Sequence, residues 1–207
     1  MTTKHVGILS PEQLLENKLS IIKRLWERGD IQCEQNGKVF EIHLRDPILE
    51  DYKIRRDIAS LFLSTINERY FYMCAPAVRL GLICISWAIA PIVGILGDQL
   101  ECEIVEIAPS EGRTMYGTPK SGTDKLIVLD NLIQSGHTIT GAVHRLLNAG
   151  YQVAQITALC DKEVGGRTVI ERETASFAAS RGIEPPKITA IIEKRFIVQV
   201  LQGIQPS

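Results

Sequence analysis

At 207 residues the chain can hold one well-formed core, or at most two small domains. A hydrophobic fraction of 45% with 23% charged residues excludes a disordered or fibrous chain. A net charge of −1 and a pI near 6.4 announce no basic face, so nucleic acid is not an expected partner.

In chain order, Met1-Thr2-Thr3-Lys4-His5 has no apolar stretch of signal type. The first predicted element is a helix over residues 10–27. Ser10 suits the N-cap, Pro11 the first turn, and Gln13 completes a capping box. Leu14, Leu15, Leu19, Ile22 and Leu25 recur at helical spacing, and Gly29-Asp30 ends the element. A hairpin is predicted next, with strands at 31–34 and 39–45 around Gln35-Asn36-Gly37. Residues 51–66 form a second amphipathic helix, with Ile54, Ile58, Leu61, Phe62 and Thr65 on one side.

Further on, residues 71–74 are predicted as a buried strand and 75–79 as a loop. Residues 80–96 form a nearly uncharged run, slightly short of a membrane span and interrupted by Pro91 and Gly94. It is expected to be a buried helix, and no membrane association is expected. A short strand is predicted at 103–107, a long Gly/Ser/Thr/Pro-rich loop at 109–124 and a four-residue apolar strand at 126–129. A helix at 138–148 closes on Gly150, and a strand follows at 153–159. The tail adds a helix from Thr168 to Ala179 and strands at 188–192 and 196–200. Apolar strands separated by helices indicate an α/β fold, a mostly parallel sheet flanked by helices. Residues 1–207 are expected to be one domain, with 1–50 a small helix-hairpin hood and 51–207 the α/β core.

Five cysteines, Cys33, Cys74, Cys84, Cys102 and Cys160, lack the close pairing of a zinc or redox motif. They are expected as small apolar residues in a reducing, cytoplasmic compartment. His43 and His144 are expected on a strand surface and a helix surface. With His5 they show no metal-ligand clustering, and no protein-held metal is assigned.

The stretch that carries chemistry runs Leu126-Ile127-Val128-Leu129-Asp130-Asn131-Leu132-Ile133-Gln134-Ser135-Gly136-His137-Thr138. It places Asp130 at the carboxyl end of a strand and opens a helix after a polar loop. Free backbone N–H groups and the helix dipole make that loop an anion site. Gly136 lets the backbone approach a phosphate, and Ser135 and Thr138 supply hydroxyls. Asp130 and Asn131 can hold the hydroxyls of a sugar attached to that phosphate. Polyol at one end and phosphate at the other suit a ribose 5-phosphate.

This stretch resembles the phosphoribosyl diphosphate (PRPP) motif of the type I phosphoribosyltransferases. Asp161-Lys162-Glu163-Val164-Gly165-Gly166 is similar to a turn of the orotate branch, and so, more loosely, are the hairpin around Asn36-Gly37-Lys38 and the segment Ala75-Pro76-Ala77. The resemblance implies transfer of ribose 5-phosphate from PRPP to a nitrogenous base, orotate or a related planar compound, with release of diphosphate. By the same resemblance Asp130 and Asn131 orient the ribose. Gln134, Ser135, Gly136, His137 and Thr138 hold the 5′-phosphate. Ala75 and Arg79 border the diphosphate, and Arg113 closes over it. Lys38 and Lys162 face the base. Magnesium arrives on the diphosphate, and a homodimer is implied.

The sequence departs from that pattern at Asn131, which replaces the second acid, and at Glu106, which stands where a cation is expected. Loss of negative charge beside the ribose is expected to cost rate more than binding. The alternative on the same fold is therefore a weakly catalytic or non-catalytic PRPP- or nucleotide-binding regulator, or a subunit of a complex.

Overall fold

The computed structural model describes residues 9–33, 39–70, 80–107, 115–116 and 125–204. The chain enters through α1 (Pro11–Glu27), whose first turn is closed as expected. The Ser10 hydroxyl accepts from the Gln13 N–H at 3.3 Å, and the Gln13 side-chain oxygen accepts from the Ser10 N–H at 2.9 Å. Strands β1 (Ile31–Cys33) and β2 (Val39–Ile42) pair antiparallel as the predicted hairpin. The second strand stops short of its predicted end. Arg45 instead begins a short helix, α2 (Arg45–Glu50), which buries Pro47 and Ile48. The Asp51 carboxylate then accepts from the N–H groups of Lys53 and Ile54 at 2.8 and 3.2 Å and starts α3 (Tyr52–Tyr70). Ile54, Ile58, Leu61 and Phe62 are fully buried on the predicted face of α3.

The predicted strand at 71–74 and loop at 75–79 lie outside the described residues. The largest correction concerns residues 80–96, expected as one helix. They divide into β3 (Leu80–Cys84), a 3-10 turn at Trp87–Ile89 and α4 (Ala90–Leu100). A strand buried on both faces is a continuous apolar run, which periodicity cannot separate from a buried helix. The break falls at Ser86, whose hydroxyl accepts from the Ala88 N–H at 3.3 Å. Pro91 sits in the first turn of α4, where a missing N–H costs nothing.

Next come β4 (Glu103–Ile107), β5 (Met115–Tyr116), β6 (Lys125–Ile133), α5 (His137–Asn148), β7 (Val153–Asp161), α6 (Gly166–Arg181), β8 (Lys187–Glu193) and α7 (Lys194–Ile204). Of the long loop expected at 109–124, the described part is β5, paired antiparallel with β4. Strand β6 runs on to Ile133, so Asp130 lies within the strand rather than at its end. Residues 196–200, expected as a strand, belong to α7. Packing overrides their β propensity, because Ile197 and Leu201, one turn apart, are buried against the core.

The sheet order is β5-β4-β3-β6-β7-β8, parallel throughout except for β5. Alternation along the central strands divides the core. Leu82, Cys84, Ile127 and Leu129 face one apolar cluster, shared with α1, α2, α3, α4 and α7. Ile83, Leu126, Val128 and Ile156 face the other, shared with α5 and α6. From β3 the chain moves outward to β4 through α4. From β6 it moves the opposite way to β7 and β8 through α5 and α6. Right-handed crossovers in opposite directions require helices on opposite faces, as observed. The direction of winding therefore reverses between β3 and β6. A crevice opens there between the loops that leave the two strands, the place where open α/β sheets bind ligands.

Candidate functional site

That crevice is a cavity of about 590 Å³. One wall is the strand end and loop with Asp130, Asn131, Leu132, Gln134, Ser135, Gly136, Thr138 and Ile139. The facing wall is Ile85, Ser86, Trp87 and Ala88 from the loop after β3, with Arg45 reaching in from α2. The size suits a small organic ligand rather than a bare anion.

Asp130 is the acidic residue of this lining and is 6% exposed. Its carboxylate accepts the Asn131 N–H at 2.7 Å, and the Leu132 N–H also stabilises its charge. Burial outweighs these two donors and pushes the carboxyl up to about 7. Asp130 is therefore poised between its charged and neutral forms at neutral pH. A donor entering the cavity, such as a sugar hydroxyl, would favour the charged form.

Beyond Ile133 the chain turns through Gln134 and Ser135 into α5, with Gly136 as N-cap at φ +80° and no side-chain cap. The first helical bond runs from the Thr140 N–H to the Gly136 carbonyl at 2.9 Å. The N–H groups of the first turn precede that bond and form the anion-binding end of the helix. Ser135 and Thr138 are exposed on the cavity wall beside them.

Gly136 also has a packing reason beside the one expected of it. A Cβ on Gly136 would lie 2.5 Å from the Gly166 carbonyl oxygen, and one on Gly166 would lie 2.0 Å from the Gln134 carbonyl oxygen. The two glycines let the loop after β6 and the start of α6 meet backbone to backbone. The turn from Asp161 to Gly166 thus underlies the loop. The Lys162 N–H donates to the Ile133 carbonyl at 3.0 Å, and the Glu163 N–H to the Asp161 carboxylate at 2.8 Å.

Of the residues singled out in the sequence, Asp130, Asn131, Gln134, Ser135, Gly136 and Thr138 come together around the cavity. His137 is exposed at the start of α5 and is not part of the lining. Lys162 is 7% exposed and pairs with Glu41 of β2 at 3.1 Å, apart from the lining. Lys38, Ala75, Arg79 and Arg113 lie outside the described residues. His144, expected on a helix surface, is partly buried and stacks on Phe177 with ring centroids 4.8 Å apart. Sequence reasoning missed Arg45, Ser86 and Trp87, all hidden by the misread strand ends. Ser86 ahead of Pro91 was the available signal: an N-cap residue at a break in an apolar run.

No family model matches the chain. The orotate phosphoribosyltransferase of Synechocystis sp. is 38% identical over 55 residues, 27% of this chain and 28% of that protein. The chain thus matches under a third of that relative's length. The crystal structure of orotate phosphoribosyltransferase from Aeropyrum pernix superimposes with a TM-score of 0.64 at 18% identity, over 88% of this chain and 99% of that one. The fold is that of the type I phosphoribosyltransferases. Adenine phosphoribosyltransferase from Trypanosoma brucei, solved with AMP, pyrophosphate and ribose 5-phosphate, shares it at a TM-score of 0.57 and 13% identity, over 84% of this chain and 80% of that one. Orotate and adenine enzymes both have this fold, so the fold does not select a base.

Proposed function

We propose that the protein is a phosphoribosyltransferase that binds PRPP in the cavity between β3 and β6 and transfers its ribose 5-phosphate to a planar nitrogenous base. The observation that carries the reading is the conjunction on one cavity wall of a buried Asp130 with the uncapped N-terminus of α5. Asp130 and Asn131 hold the ribose hydroxyls, and the turn from Gln134 to Thr138 holds the 5′-phosphate. In the reaction the bond from ribose C1 to diphosphate breaks and a bond from C1 to a base nitrogen forms. Diphosphate departs with the electron pair, and the base loses its N–H proton to solvent. Orotate is the first base to test, on the sequence resemblance.

Magnesium would enter with the diphosphate. Among the described residues no three His, Cys, Asp or Glu side chains are placed to hold an ion. The donors that fit the cation are thus the diphosphate and ribose oxygens, with Asp130 beside them. Its contribution when bound is to screen the charge of the leaving group. A cytoplasmic homodimer completes the proposal. No helix among the described residues is long and apolar enough to cross a membrane. Sedimentation as a strict monomer at high concentration would remove the dimer.

A second reading, a regulator or complex subunit that binds PRPP or a nucleotide without turnover, is favoured by Asn131, which brings no negative charge to the ribose site. Calorimetric titration of PRPP with and without magnesium, then a diphosphate-release assay over a panel of bases, separates the two. Binding with release establishes the transferase, and the productive base names it. Binding without release for any base supports the regulator. Absence of binding refutes both.

A further inference from the structure

We propose that Arg45, on α2 of the hood, recognises a second anionic group on the C1 side of the sugar phosphate, the diphosphate of PRPP. This rests on the reading of the cavity as a ribose 5-phosphate site and adds the residue by which a ligand anionic at both ends is selected.

Three observations carry it. Arg45 is the cation of the cavity lining, opposite the wall that offers the helix end for the 5-phosphate. It makes no ion pair among the described residues, whereas Arg24, Arg28, Arg167 and Arg195 each pair with a carboxylate. Its neighbour Asp46 is not part of the lining. Lastly, its backbone is fixed from below. Leu44 is 4% exposed and Ile48 fully buried, and the His43 N–H donates to the Asp30 carbonyl at 2.8 Å. Helix α2 also packs against the turn that carries Trp87. An unpaired guanidinium on an anchored backbone, facing a cavity, presents a rigid fork of donors that matches phosphate oxygens.

The consequence is selectivity. Ribose 5-phosphate uses the α5 end and Asp130 but leaves Arg45 idle, whereas PRPP uses all three. The wild type is expected to prefer PRPP over ribose 5-phosphate by about 10- to 100-fold in the absence of divalent cations, the range of a hydrogen-bonded charge pair. Raising salt should narrow the preference.

The test is titration calorimetry of four probes, ribose 5-phosphate, PRPP, uridine 5′-monophosphate and orotidine 5′-monophosphate, against wild type, Arg45→Gln and Arg45→Lys. Arg45 is exposed, so both variants should fold, and circular dichroism checks this. The expected result is that Arg45→Gln abolishes the preference for PRPP and leaves ribose 5-phosphate affinity unchanged. Arg45→Lys, which keeps charge without the fork, should fall between. Equal weakening of all four probes by Arg45→Gln overturns the proposal. So does an unchanged PRPP preference. A loss confined to orotidine 5′-monophosphate assigns Arg45 to a base carboxylate and overturns it too. Failure of the wild type to bind ribose 5-phosphate at all removes the underlying reading of the cavity, a result distinct from these three.

Discussion

Asp130→Asn should make the protein more stable and a worse binder, and both effects depend on pH in a definite direction. The Asp130 carboxyl is buried and raised from its ordinary 3.8 to about 7. Each tenfold change in proton affinity is worth about 1.4 kcal/mol, so the displacement corresponds to about 4 kcal/mol for the fully ionised group. Water entering the open cavity reduces this, and a net cost of about 2–4 kcal/mol above pH 7 is expected. Because the folded state binds this proton more tightly than the unfolded chain, the wild type gains stability from the group as pH falls from about 7 towards 4. Asparagine never carries the charge, and its oxygen can still accept the Asn131 N–H that Asp130 accepts at 2.7 Å. Asp130→Asn should therefore raise the melting temperature at pH 8, in phosphate-free buffer, by about 4–16 °C for a chain of this size. The gain should vanish by pH 4. The same substitution should weaken ribose 5-phosphate binding about tenfold, because a hydroxyl bonds a carboxylate more strongly than an amide. A variant no more stable than wild type at pH 8, or equally stabilised at pH 8 and pH 4, would refute the reasoning.

Gly166→Ala drives a Cβ to 2.0 Å from the Gln134 carbonyl oxygen and should cost about 3 kcal/mol or more, with loss of phosphate binding. Gly165→Ala is the control, since its φ is +93° but nothing lies within 4 Å, and about 1–2 kcal/mol in chemical denaturation is expected. Glu41→Ala strands the buried Lys162 ammonium and should cost about 1–3 kcal/mol, less than a fully buried pair because Glu41 is 38% exposed. A double-mutant cycle with Lys162→Met should return most of that loss. Of the chain's two tryptophans, Trp87 lines the cavity and is 60% exposed, whereas Trp26 packs against the core. Ligand titration should change the tryptophan emission of wild type and Trp26→Phe but not of Trp87→Phe.

What was legible in the sequence follows from how many independent signals each element carried. Helix α1 had a cap, a proline and a stripe of apolar residues in agreement, and its end points were readable. The stretch from 80 to 96 had one signal, apolarity, which a strand buried between two helical layers and a buried helix both satisfy. Losing β3 there also lost the reversal of winding beside β6, and with it the loop from Ile85 to Ala88. The loop that follows β3 and lines the cavity was consequently not singled out, and Ala75 and Arg79, assigned to the diphosphate side, lie outside the described residues. Arg45 was hidden the same way, because an alternating strand pattern was extended three residues past the end of β2, onto the first residue of α2.

The phosphate wall was readable because its chemistry is local: an acid in a strand, a short polar loop and a helix start follow one another in sequence. The support of that wall was not, because it is a contact between segments about thirty residues apart. Gly165 and Gly166 were visible as a motif, but a motif of two glycines does not say what approaches them. Two carbonyl groups do, from Gln134 towards Gly166 and from Gly166 towards Gly136. The geometry also explains why the loop can be exposed and still well placed. Gln134, Ser135 and Thr138 face the cavity, while the backbone between them rests on α6 with no side chain interposed. A methyl group at either glycine would part the two segments and tilt the N-terminus of α5 away from Asp130. The distance between the anion end and the sugar end of the site is thus set by residues that touch no ligand.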